Sequence, residues 1–162
     1  MKTLVTAGLC VVGLAAFAAA QTKTSGTGKC AEKPDMQQAM EVGDRTGHSL
    51  MIAKESCTWT APMEIAGVKS KTYTVFVTSD QSGVKSQDRG YVRIVMENGD
   101  QAFVRFQGAS MSTKEGAPQS GEGTWTYTGG TGKLKGITGK GTYKSKGSED
   151  QIDGEYTLPA GK

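Results

Sequence analysis

At 162 residues the chain suits one domain, and a formal net charge of +3 is too small for its overall field to select nucleic acid or a membrane surface as partner. The single histidine, His48, excludes a histidine-built metal centre, and the acids show no calcium-loop spacing, so no metal and no other cofactor is expected.

The chain starts with Lys2, an apolar run from Leu4 and a small-residue end, Ala18-Ala19-Ala20 before Gln21. That order is a secretory signal peptide, so residues 1–20 are set apart from the fold. The protein is expected to be secreted or periplasmic, with no stable membrane anchor, because the strictly apolar core is short for a span. Removal of this leader leaves Cys30 and Cys57. In an oxidising compartment such an even pair is most simply a disulfide, pinning the N-terminal segment to the first strand region.

Residues 21–46 read as a flexible N-terminal segment tied by Cys30, ahead of a β-barrel domain at 47–162. Gln21 to Lys29 holds Thr, Ser, Gly and Lys with no apolar residue to bury. Pro34 to Gly43 fits a short helical turn, although Met36, Met40 and Val42 fit an extended run nearly as well, and Gly43 to Gly47 is a turn. His48 to Trp59 is the first long strand and Lys71 to Thr78 a strong one, rich in β-branched and aromatic residues. Ser79 to Gly90 is polar and reads as a long loop.

Tyr91 to Phe106 is the clearest folding instruction in the sequence: two β-rich runs around Asn98-Gly99, a strong hairpin signal. With those two as the central residues of a type I′ turn, Val92 faces Arg105 and Ile94 faces Phe103 on one side. Tyr91 with Phe106 and Arg93 with Val104 then share the other. Both faces are largely apolar and each carries one arginine, so one of Arg93 and Arg105 is expected near the core, where a guanidinium needs an anionic partner such as Glu55 or a ligand carboxylate.

Gln107 to Gly121 reads as a second loop, Gly123 to Thr128 as a strand with an aromatic face through Trp125 and Tyr127, and Gly154 to Leu158 as the last strand. Between them, Gly129 to Gly139 is glycine-dense, with Leu134 and Ile137 placed to plug one end of a barrel. A phosphate loop fails there on spacing, since Tyr127 and Leu134 occupy the positions where its first glycine belongs. The lysines from Lys133 to Lys146 read as a solvated face on an edge. The sum is all-β: a single antiparallel barrel of about eight strands with almost no helix.

The run Gly-Gly-Thr-Gly-Lys-Leu-Lys-Gly-Ile-Thr-Gly at 129–139, behind Gly123-Thr124-Trp125, resembles the signature stretch of the allene oxide cyclase barrel-like superfamily. The resemblance covers roughly residues 47–158 and implies a small eight-stranded antiparallel barrel related to the plant dirigent proteins. It also allows a dimer or trimer, on which the residues themselves are silent. None of the plant cyclase's active-site residues matches a position here, so no catalytic residue carries over.

His48 reads as a surface or hydrogen-bonding residue sooner than a general base. What remains is a barrel interior that side chains fill or that holds one small ligand, with Arg93, Arg105, Tyr91, Phe103, Glu55 and Trp125 as candidate contacts. The expected function is non-catalytic binding of a small amphipathic ligand or a protein partner. The alternative is an isomerase or cyclase acting on an apolar, fatty-acid-derived substrate in the cavity.

Overall fold

A computed structural model of the chain describes residues 21–112 and 120–159; the expected signal peptide lies outside them. The strands are β1 (Thr22–Cys30), β2 (Met36–Glu41), β3 (His48–Ala61), β4 (Glu64–Ile65), β5 (Val68–Ser82), β6 (Lys85–Met96), β7 (Gln101–Met111), β8 (Ser120–Gly130), β9 (Thr138–Lys146) and β10 (Glu149–Thr157). A 3-10 turn at Gly132–Leu134 is the one helical element among the described residues.

Eight of these strands close a barrel in the order β1-β10-β9-β8-β7-β6-β5-β3, with β3 returning to β1 and every pairing antiparallel. Closure satisfies the backbone donors and acceptors that an open edge would leave bare. The free edge of β3 is divided: its C-terminal part pairs with β1, from Thr27↔Ala61 to Cys30↔Cys57, and its N-terminal part pairs with β2 from Met36↔Lys54 to Glu41↔Ser49. The β1–β3 ladder is the shortest in the ring, with a register shift between Thr27 and Gly28. The Cys30–Cys57 disulfide joins the last register pair of that ladder, so the covalent staple sits on the weakest seam.

Gln21 to Lys29 therefore corrects the expectation of a flexible tail. It supplies a wall strand, because threonine suits a pleated surface and β1 is paired on both edges, so its backbone bonds offset the lack of apolar side chains. Pro34 to Gly43 takes the extended option, as β2. Ser79 to Gly90 is not a loop: β5 runs to Ser82, Gly83-Val84 makes the turn, and β6 begins at Lys85. Likewise β7 continues to Met111 and β8 starts at Ser120, while residues 113–119 lie outside the described part. In each case a segment polar on both faces hid a strand whose partners supply its stability. The lysines of β9 are exposed and alternate, but β9 is paired on both sides and is not an edge.

The hairpin at Tyr91–Phe106 forms with its register one residue away from the expected one. Three residues, Glu97-Asn98-Gly99, make the turn, with Met96 N–H donating to the Asp100 carbonyl (2.9 Å) and Gly99 in the left-handed region at φ 87°. Arg93 now opposes Phe103 and Tyr91 opposes Arg105. A one-residue slip regroups the faces: Ile94, Met96, Ala102 and Val104 are buried, with Val92 and Phe106 half-buried beside them, and Tyr91, Arg93, Phe103 and Arg105 all point to solvent. Neither arginine enters the barrel. Asp100, next after the turn, ties the hairpin to the glycine-rich connector, where its Oδ2 accepts from Lys133 N–H at 3.0 Å.

One end of the barrel is plugged. Met63, Ile65, Leu134 and Ile137 are buried there, and the Tyr156 hydroxyl accepts from Ala66 N–H at 3.0 Å, tying the β4–β5 turn to the wall. Each such side chain contributes about 1.5–3 kcal/mol by leaving water. At the opposite end the interior stays open.

Candidate functional site

Between the plug and the open end lies a cavity of about 520 Å³, inside the range that takes a small organic ligand. Its deeper wall is aromatic and aliphatic: Trp59, Tyr73, Val75, Val92, Ile94, Phe106, Trp125 and Tyr143 all line it. The rings brace one another, Trp59 against Tyr73 at 4.5 Å, Phe106 edge-on to Tyr143 at 5.8 Å and Trp125 edge-on to Tyr127 at 5.1 Å between centroids. Both tryptophans of the sequence are thus in this wall.

Toward the mouth the lining turns polar, and acidic. Asp150 accepts from the Tyr73 hydroxyl at 2.9 Å and from Ser145 Oγ at 2.6 Å, so both its oxygens are held. Asp88 accepts from Ser110 Oγ at 2.6 Å, and Ser110 in turn shares a hydrogen bond with Ser86 Oγ. Glu55 projects from β3 into the same space. These placements follow from strand alternation: Ser86, Asp88, Val92 and Ile94 share the inner face of β6, and Asp150, Ile152 and Tyr156 that of β10. Tyr73 reaches Asp150 only because position 28 is glycine, where a Cβ would lie 2.2 Å from the tyrosine oxygen.

The electrostatics match a site of one sign. Burial raises the Glu55 carboxyl above the usual carboxylate range, and the nearby charges of Asp150 and Asp35 raise it further. Asp150 is also raised by burial, with the Ser145 and Tyr73 hydrogen bonds pulling the other way. The Tyr143 phenol is pushed up to about 12 by burial first and then by Asp88 and Asp150, so it stays a neutral donor. Tyr73 and Tyr127 are raised too, each chiefly by burial. Among the described residues the one cationic side chain in the lining is Lys85, exposed at the rim.

Such a site can hold a positive charge, or donate a proton from a carboxyl whose affinity for it is raised. Glu55 and Cys30–Cys57 sulfurs lie close enough to suggest metal donors, but each sulfur is bonded to the other and is spent as a ligand. His48 sits outside the cavity, with Nδ1 on Asp44 and Nε2 3.0 Å from Asp80, clamping the β2–β3 turn to β5.

Of the residues singled out from sequence, Glu55 and Trp125 line the cavity, Cys30 and Cys57 form the disulfide at its wall, and Arg93, Arg105, Tyr91 and Phe103 stand on the outer surface. Asp88, Asp150, Tyr73 and Tyr143 are the contacts that sequence reasoning did not select. A parity signal existed for Asp150, two residues before Ile152 and six before Tyr156, while Asp88 was concealed in a stretch taken for a loop.

Fold and site together define a closed eight-stranded antiparallel barrel, hollow over one half and acid-lined at its mouth. Compared with known proteins, the chain matches no family model, and no curated protein matches it.

Proposed function

We propose that this protein is a non-catalytic carrier or sensor barrel that binds one small amphipathic molecule, and that it does so outside the cytoplasm. The observation that carries the reading is the cavity itself: about 520 Å³ with an apolar, ring-lined interior and a hydroxyl- and carboxylate-lined entrance. The glycine-rich likeness to the allene oxide cyclase barrel-like superfamily supports a ligand-holding interior. The disulfide and the leader-like apolar run at residues 1–20 support export.

The test is a titration with N-phenyl-1-naphthylamine, a neutral apolar probe, followed by quenching of Trp59 and Trp125. Saturation at one probe per chain is expected. Val77→Phe, which grows into the cavity from the wall, should abolish it, and Tyr91→Ser on the outer surface should leave it unchanged. Binding lost in Tyr91→Ser and kept in Val77→Phe would place the apolar site outside the barrel and refute the proposal.

A further inference from the structure

Resting on the reading of the cavity as a binding site, we infer that its ligand is a cation: an ammonium group on an apolar body, with the ammonium among Glu55, Asp88 and Asp150 and the body against the rings below. Glu55, Asp88 and Asp150 face one space, with the exposed Glu32 also in its lining, and among the described residues no lysine or arginine of the lining answers them except the exposed Lys85. Buried charge of one sign is costly unless paired. The Coulomb field of Asp150 reaches Glu55 and, with Asp88, the Tyr143 phenol, so the three act on one region.

Observations apart from the carboxylates also point to an occupant. Tyr127 is 8% exposed and lines the cavity, and its hydroxyl has no hydrogen-bond partner. Trp59 Nε1 is likewise buried and unpartnered, as is Oδ1 of Asp88 on the acidic side. Buried polar atoms ordinarily find partners, and these orphans are gathered on the wall of one cavity. The aromatic lining adds faces that attract a cation. An inorganic divalent ion would satisfy the carboxylates and leave the apolar wall and the Tyr127 hydroxyl unused. An organic ammonium engages both halves.

Three probes with one chain length and different heads test this: decylamine, decan-1-ol and decanoate, titrated at about pH 8, where an alkylamine remains protonated. Binding is read from Trp59 and Trp125 fluorescence and confirmed by calorimetry. A hydrogen-bonded charge is expected to make decylammonium bind roughly tenfold to hundredfold more tightly than decanol, with decanoate weakest. Glu55→Gln should narrow the gap between amine and alcohol by weakening the amine; Glu55 accepts no side-chain hydrogen bond among the described residues, so the fold is not at stake. Equal affinities for all three would overturn the charge inference and leave the cavity reading standing, as would decanoate binding tightest. Calcium binding at a defined single site, with decylamine no tighter than decanol, would assign the carboxylates to a metal and overturn it as well. Failure of all three probes and of the naphthylamine would remove the binding reading itself.

Discussion

Replacing both cysteines, Cys30→Ala with Cys57→Ala, should destabilise the barrel more than the short β1–β3 ladder suggests. The disulfide joins residues 27 apart, and the chain-entropy relation applied to a loop of that length gives about 3.5 kcal/mol at 25 °C. Domains of this kind are stable by about 5–15 kcal/mol, so the loss is a large fraction of the total. It also falls where the fold has least in reserve, since β1 is the strand through which β3 and β10 close the ring and its ladder with β3 ends at this pair. Urea unfolding followed by the two tryptophans measures the change. With a slope of about 1–3 kcal/mol/M, the midpoint should fall by about 1–3.5 M. Hydrogen exchange should show the β1 amides losing protection before those of β6 and β7. A loss under about 1 kcal/mol, with β1 protection intact, would refute the view that the staple secures the weakest seam.

Gly28→Ala should push Tyr73 off Asp150, because the new Cβ would lie 2.2 Å from the tyrosine oxygen and 2.7 Å from its ring; a cost of about 1–3 kcal/mol is expected by denaturation, with a changed tryptophan spectrum from Trp59 beside that ring. His48 should titrate above the ordinary imidazole value of about 6.5, because Asp44 and then Asp80 hydrogen-bond its ring against the opposing effect of burial, and Asp44→Asn should lower it; NMR of this sole imidazole reads both. Since that folded pKa is raised, the clamp's stabilisation is complete below pH of about 6.5 and is lost as pH rises through the folded value. The Asp44 pKa is lowered, chiefly by its His48 hydrogen bond, so its share is present above the ordinary carboxylate value and is lost as pH falls through the lowered one. Glu55 has the opposite sign from Asp44: a raised carboxyl binds its proton more tightly folded than unfolded, so it detracts from stability once ionised. Glu55→Gln should therefore melt above the parent at pH 7, with the difference closing as pH falls toward the ordinary carboxylate range of about 4.

Much of the architecture was legible because it rests on local chemistry. Alternating β-branched and aromatic residues marked β3, β5 and β8, Asn98-Gly99 marked the hairpin, and Leu134 and Ile137 were recognisable as a plug. What escaped has a common physical cause: polar strands such as β1, and the ends of β5 through β8, are held by their partners' backbones and leave little apolar periodicity to read. The site suffered most from a single residue of turn length. Two central residues would have turned Arg105 or Arg93 inward and called for an acidic ligand; the three that form the turn put both arginines in solvent. The charge in the cavity is consequently inverted from the expectation, and Glu55, expected as an arginine's partner, faces other acids instead.

The most direct test of a cavity-bound ligand is its position. Nuclear Overhauser contacts recorded between bound decylamine and the protein should run from its methylenes to Val75, Val92, Trp59 and Trp125, with its head nearest Glu55 and Asp150. Contacts confined to Phe76, Tyr91 and Phe103 on the outer face would contradict the account.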